Sequence, residues 1–234
     1  KGKTILFDFG ASDLYIKNGE KLGIDVFDAD YYVLSHGHSD HGDGLKFMPN
    51  RKLICHPEAF IKRYDAKSKD RKHIGLPYTF EEAREKFDLI LSDKPYEITE
   101  DIIFLGGIPR INEFESKSTT FIKEDGTLDF VEDDSGLVFK TDKGLVVISG
   151  CAHSGICNII EYAKKTTGIN KVYAVIGGFH LKGEDDLTTK TIEYLKTIDI
   201  EYLSTSHCTE FPALVEFANV FGSRPFKAGD IIEL

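Results

Sequence analysis

"YYVLSHGHSDHGDGL", residues 31 to 45, is the stretch on which the reading of this chain turns. Tyr31 to Leu34 is an apolar, strand-like run. It breaks into a segment that holds His36, His38, Asp40 and His41 within six residues, so three of the chain's eight histidines stand on one turn. Neutral imidazole is a common ligand for zinc and for iron, manganese or nickel, and a neighbouring carboxylate adds a hard oxygen donor. His36 and His38 lie two apart, so in an extended turn both rings point to one side. Asp40 and His41 follow as the chain curls into a helix, and they face a second position. One motif of this density can nucleate two metal positions.

Working outward, three more histidines fall where a strand ends: His153 in "VVISGCAHSG", His180 in "AVIGGFHL" and His207 in "LSTSHCTE". Functional residues of α/β folds collect at the C-terminal edge of the strands, where the loops face a common crevice. Taken singly, each histidine would read as an ordinary core or surface residue; it is the joint pattern that points to metal. His56 and His73 stand outside it. Cys151 and Cys208 flank two of these histidines but read as small buried thiols, and Cys55 and Cys157 carry no functional signal.

The rest of the chain alternates. Strands are expected at residues 3 to 10, 31 to 35 and 52 to 57, with a short helix at 12 to 24 between the first two. Residues 58 to 96 are charge-rich, with a helix expected over 80 to 91, and read as an insertion or lid; the charges of residues 62 to 72 read as solvated. Antiparallel strands follow in "EITEDIIFLGGIP", "TTFIKE", "SGLVFKT" and "GLVVISG", punctuated by Gly and Asp. Alternation then resumes, with helices at 154 to 166, 186 to 198 and 211 to 221, strands between them, and a last strand "FKAGDIIEL". With no internal repeat, residues 1 to 234 read as a single domain carrying that insertion. The chain opens at Lys1 directly on a strand, and a preceding N-terminal strand is expected.

Composition narrows the function. A chain of 234 residues with an apolar fraction of 41% can bury a real core, and no run approaches the roughly 18 to 20 apolar residues of a membrane span. The net charge of −10 argues against a nucleic-acid surface. Four cysteines without framework spacing suit a reducing compartment, and the expectation is a cytoplasmic protein whose partner is a small molecule rather than nucleic acid or membrane. An acidic balance does not exclude anionic substrates, because a bound metal dominates its local field.

"HGHSDH" matches the His-x-His-x-Asp-His signature of the metallo-β-lactamase superfamily, and the chain resembles that superfamily over nearly its whole length. Asp8 in "ILFDFG" resembles the structural aspartate ahead of the signature, His153 the third histidine and His207 the last. "GGIPRINEFE", "VIGGFHL" and "HCTE" resemble the branch of metal-dependent hydrolases that includes an archaeal pterin synthase. The resemblance implies a four-layer αββα sandwich and one or two divalent ions, zinc first, with manganese, iron or magnesium as alternatives. It implies that His36, His38 and His153 hold one metal, and that Asp40, His41 and His207 hold the other. Asp8 is expected to support ligands by hydrogen bonding. Most of the superfamily bridges its metals with an aspartate where this chain has "IGGFHL". His180 is the metal-competent residue there, expected as a terminal ligand or acid/base, and the second metal is expected to bind more weakly. His180 and Asp40 are the candidate catalytic residues.

Such a centre activates water for attack on an ester, lactone or phosphorus atom. Two features tilt the expectation toward a phosphorylated substrate. Ser154 and Gly155 open a helix directly after His153, and free N–H groups at a helix N-terminus favour phosphate. Arg110 could act as a bidentate oxyanion clamp. The branch also implies an alternative: a transferase joining a dihydropterin diphosphate to a ribofuranosylaminobenzene phosphate. A non-catalytic metal-sensing module is the third reading.

Overall fold

The computed structural model describes residues 2 to 183 and 185 to 234. Its backbone forms two compact units, one of residues 1 to 93 with 118 to 133, the other of residues 94 to 117 with 134 to 234.

In the first unit the chain runs β1 (Ile5–Phe7), α1 (Leu14–Leu22), β2 (Tyr31–Val33), α2 (Ser39–Gly42), β3 (Lys52–Cys55), β4 (Arg63–Asp65), α3 (Phe80–Lys86) and β5 (Asp88–Leu91). The sheet order is β1-β2-β3-β5, with every pairing parallel. Parallel strands of this kind are buried on their faces and read as short apolar runs, and Tyr32, Leu34, Leu53 and Cys55 pack with Phe9, Leu45 and Phe87 into one core cluster.

Residues 58 to 96 differ from the expected helical insertion. Thr79 starts α3 with a capping box to Glu82, yet the helix stops at Lys86 because Phe87 turns extended and buries its ring. "DLIL" then pairs in parallel with "KLIC" as β5. A four-residue apolar run fits the end of a helix or a strand equally well, and only the neighbouring β3 decides between them. β4 pairs instead with β8 (Phe121–Lys123), an excursion from later in the chain.

The second unit holds β6 (Tyr96–Thr99), β7 (Ile102–Phe104), β9 (Gly136–Thr141), β10 (Gly144–Ser149), α4 (Ile156–Thr167), β11 (Val172–Gly178), α5 (Asp186–Lys196), β12 (Tyr202–Ser206) and α6 (Phe211–Phe221). Its sheet order is β12-β11-β10-β9-β7-β6. The β12, β11 and β10 side is parallel, built by crossover helices, and the β9, β7 and β6 side is an antiparallel meander.

Alternation along β10 sends Leu145 and Val147 to the main core and Val146 to a smaller cluster on the other face. On β11, Val172 and Val175 reach the main core whereas Tyr173 and Ala174 reach the other, because a register shift between Leu145 and Val146 inserts one residue opposite. α4 meets the main core with Ile156, Ile159, Ile160 and Ala163, at the spacing of one helical face, and ends on left-handed Gly168. Burying each such side chain stabilises the unit by about 1.5–3 kcal/mol. The final stretch, residues 226 to 234, was expected as a strand and forms none; Ile231 is largely exposed. The Lys227 N–H donates to Asp230 Oδ2 at 2.7 Å and the Asp230 N–H to the Lys227 carbonyl at 3.0 Å, a local turn in place of a ladder, so an apolar pattern alone does not make a strand.

Candidate functional site

The loop from β2 to α2 carries the densest group of polar side chains in the first unit. Val33 accepts the N–H of Asp8 at 2.9 Å and Ile54 accepts that of Leu34 at 3.0 Å, so the strands deliver His36 to the sheet's C-terminal edge. Asp8 sits just past β1 with φ of 62°. Its Oδ1 accepts the Ser35 N–H at 2.7 Å, and its Oδ2 accepts the Ser35 hydroxyl at 2.8 Å and His41 Nδ1–H at 2.6 Å. Asp8 was expected to support ligands by hydrogen bonding, and the side chains it bonds here are Ser35 and His41.

These contacts assign tautomers. Ser35 Oγ gives its proton to Asp8, so the contact of 2.9 Å between Ser35 Oγ and His36 Nδ1 needs the proton on the imidazole. The lone pair of His36 is then on Nε2, which lies 2.9 Å from His38 Nδ1. His41, with Nδ1–H on Asp8, presents Nε2 in the same way. His38 Nδ1–H therefore donates to His36 Nε2, and a divalent ion that takes nitrogen donors would replace that shared proton between two buried imidazoles. Burial first, then the Arg63 charge, holds the His38 imidazole down at about 3, in the neutral form that ligation requires. His38 also packs edge-on against the Phe121 ring, centroids 4.8 Å apart. Asp40 is about half exposed, with Oδ2 3.8 Å from His41 Nε2.

In the second unit the strand ends β10, β11 and β12 carry the later histidines. His153 and His180 stack at a tilt with centroids 4.3 Å apart, and His207 is exposed. The His180 N–H donates to Cys208 Sγ at 3.3 Å, and the Cys208 thiol reaches the Cys151 carbonyl at 3.5 Å. A hydrogen bond with the Cys151 side chain, and then the His180 and His207 rings, hold the Cys208 thiol well below its ordinary range against the opposing effect of burial. A Cβ at Gly178 would lie 2.6 Å from Cys208 Sγ. A sulfur therefore crowds the C-terminal end of β11.

Backbone strain marks the same places. Of seven non-glycine residues with positive φ among the described residues, Asp8, Ala152, His180 and His207 all lie at or beside these candidates. Such conformations cost on the order of 1–3 kcal/mol each and gather at functional sites.

The turn after His153 departs from expectation. Ser154 donates its N–H, at 2.9 Å, and its hydroxyl to Asp134. Burial pushes that carboxyl up to about 6, against the pull of its hydrogen bonds. The α4 N-terminus does not offer the free N–H groups expected for a phosphate. Glu115 takes the N–H of Cys157 on Oε1 and that of Asn158 on Oε2, each at 2.9 Å. Gly155 has φ of 97°, and a Cβ there would lie 2.2 Å from the same carboxylate. An internal anion occupies the position that favours anions. Arg110 donates Nε–H to Ser116 Oγ at 2.8 Å.

Sequence reasoning missed three residues. Arg63 is fully buried although its segment reads as solvated, and it bonds Asp133, which in turn accepts the Gly37 N–H. Glu115 is the third. The partners lie far apart in the chain, so no local signal could have shown them.

The fold that carries these histidines is the metallo-β-lactamase fold. The chain matches the crystal structure of Tm1679, a metal-dependent hydrolase of the β-lactamase superfamily, with a TM-score of 0.87 and 30% identity, over 99% of this chain and 89% of that one. It belongs to the metallo-β-lactamase superfamily, in the branch that includes the 7,8-dihydropterin-6-methyl-4-(β-D-ribofuranosyl)-aminobenzene-5'-phosphate synthase of Methanocaldococcus jannaschii. That synthase is 36% identical over 99% of this chain and 84% of its own length. An uncharacterized protein of the same organism is also 36% identical, over 93% of this chain and 84% of its own. An isothiocyanate hydrolase from Delia radicum gut bacteria shares the fold alone, at 15% identity and a TM-score of 0.52, covering 89% of this chain and 77% of that one. No family model matches.

Proposed function

We propose that this protein is a metal-dependent hydrolase that cleaves a phosphoester-type bond, or an ester or lactone, in a small molecule. The observation that carries the reading is the buried pair His36 Nε2 and His38 Nδ1, 2.9 Å apart, with the His36 tautomer set through Ser35 by Asp8, on a chain similar to a metal-dependent hydrolase. His36, His38 and His153 would hold one divalent ion, and Asp40, His41 and His207 a second, with zinc first and manganese, iron or magnesium as alternatives. Such ions supply an activated water and an electrophile for the leaving group.

The chain's own residues do the rest. Asp8 keeps His41 oriented, and His180 is the acid/base that moves a proton to or from the reacting oxygen. Arg110 is the candidate oxyanion contact; Ser154 and Gly155 shape the turn, since Glu115 already engages two N–H groups there. A second reading is favoured by the synthase among the relatives: transfer of a dihydropterin methyl carbon from diphosphate to a ribofuranosylaminobenzene phosphate. Both readings share a small-molecule substrate.

Metal analysis of purified protein, followed by zinc- and manganese-reconstituted assays, decides. Turnover of a generic phosphodiester or lactone that chelator abolishes supports the hydrolase. Release of diphosphate only when both the pterin diphosphate and the aminobenzene phosphate are present supports the transferase. A metal-loaded protein with no turnover on the whole set would make it a sensing module and end the enzyme reading.

A further inference from the structure

Gly37 stands between the two facing histidines, and its surroundings come from the charged stretch and from the far end of the first unit. Its N–H donates to Asp133 Oδ2 at 2.7 Å. Asp133 Oδ1 accepts Arg63 Nη2–H at 2.7 Å, so one carboxylate spans the loop backbone and the guanidinium. Arg63 also approaches Asp129 Oδ2 at 3.4 Å and donates to the Glu58 carbonyl at 3.3 Å. Arg63, Asp129 and Asp133 are all fully buried. On its other side Gly37 has no spare room, because a Cβ would come within 1.9 Å of the Ala59 carbonyl oxygen.

A charged triad buried this deeply is costly to desolvate, and replacing such a group with apolar residues is often neutral or stabilising. Fold stability alone therefore gives a weak reason to place it there. What the triad does provide is a fixed acceptor on the Gly37 N–H, in the first of the two peptide groups between His36 and His38. The direction of that N–H sets the torsions that aim both rings, and ligand sets need tolerances of about 0.5 Å and 10–20°.

We propose that Asp133, oriented by Arg63, is a positioning residue that sets the metal affinity and coordination geometry of the His36–Gly37–His38 loop. The inference rests on the reading of His36 and His38 as ligands. Asparagine at 133 cannot do the same work. Its oxygen can accept from Gly37 or from Arg63, but its amide then points a donor at the other donor.

The test is cobalt(II) and zinc(II) titration of the metal-free full chain, wild type against Asp133→Asn, Arg63→Lys and His36→Ala. Visible absorption of the cobalt form reports geometry, and melting of each metal-free form reports folding. Wild type binding cobalt with His36→Ala losing most of it supports the underlying reading. On that background, Asp133→Asn should weaken binding about 10–100-fold and shift the cobalt bands, with Arg63→Lys between it and wild type.

Asp133→Asn and Arg63→Lys that bind within twofold of wild type with unchanged bands would overturn the positioning role, even where their melting temperatures fall. If Asp133→Asn does not fold, Arg63→Lys alone decides on the same two readouts. A His36→Ala protein that binds as well as wild type would instead overturn the ligand reading, leaving a separate signature.

Discussion

His41 gives its Nδ1–H to Asp8 Oδ2 at 2.6 Å, which leaves Nε2 as the only nitrogen of that ring able to bind anything else. Asp8→Asn should break this assignment, since an amide nitrogen cannot accept that proton and the remaining oxygen must serve both Ser35 and His41. We expect zinc affinity to fall about 10–100-fold, as is usual when a ligand's supporting partner is lost. Competition titration against a chromophoric chelator would measure it; unchanged affinity in a folded Asp8→Asn protein would remove Asp8 from the site.

His180 is expected to matter for turnover far more than for folding. Its φ of 49° favours a residue that tolerates the left-handed region, so His180→Asn tests the ring without adding backbone strain. Loss of an acid/base typically costs about 10²–10⁴-fold in rate, whereas the melting temperature should move little because β11 is held by Val172 and Val175. Wild-type turnover in this variant would show that His180 moves no proton.

Burial raises the Glu115 carboxyl above the ordinary 4.5, outweighing its bonds from Cys157, Asn158 and Asn112. A folded value above the unfolded one means that its stabilising contribution is complete below the unfolded value and is lost as pH rises through the folded value. Glu115→Gln does not ionise and escapes that loss. Urea midpoints compared from pH 4 to pH 8 should shift progressively in favour of the variant as pH rises. A difference between the two proteins that stays constant across the range would contradict the burial argument.

Gly37→Ala should destabilise by about 3 kcal/mol or more, at the upper end for overpacking, because the new methyl meets the Ala59 carbonyl oxygen at 1.9 Å. The atoms it meets all belong to the Ala59 backbone, which cannot swing aside as a side chain would. A urea midpoint equal to wild type would mean the loop relaxes freely, which would also weaken the case for a rigid histidine pair.

Much of this was legible in the residues. The His-x-His-x-Asp-His spacing and the placement of His153, His180 and His207 after apolar runs marked the family and the strand edges, because ligand chemistry and strand periodicity are both local. Asp8 was legible for the same reason, one residue past a strand. The "DLIL" run was not: its helix–strand choice rests on hydrogen bonds to β3, and "FKAGDIIEL" has strand-like residues but starts beside β12 on a side-chain bond, Ser206 Oγ–H to the Phe226 carbonyl, rather than a backbone ladder.

What tertiary structure decided is the fate of the charges. Arg63 carries the same composition signal as its exposed neighbours Lys62 and Lys67, yet it alone meets Asp129 and Asp133 and is withdrawn from water. Glu115 likewise reads as one acid among many until the fold brings it to the N-terminus of α4, where it takes two of the N–H groups that an outside anion would use. A local pattern can specify which atoms a residue offers. Which of those atoms are already spent depends on partners distant in the chain, and only the folded chain brings those partners together.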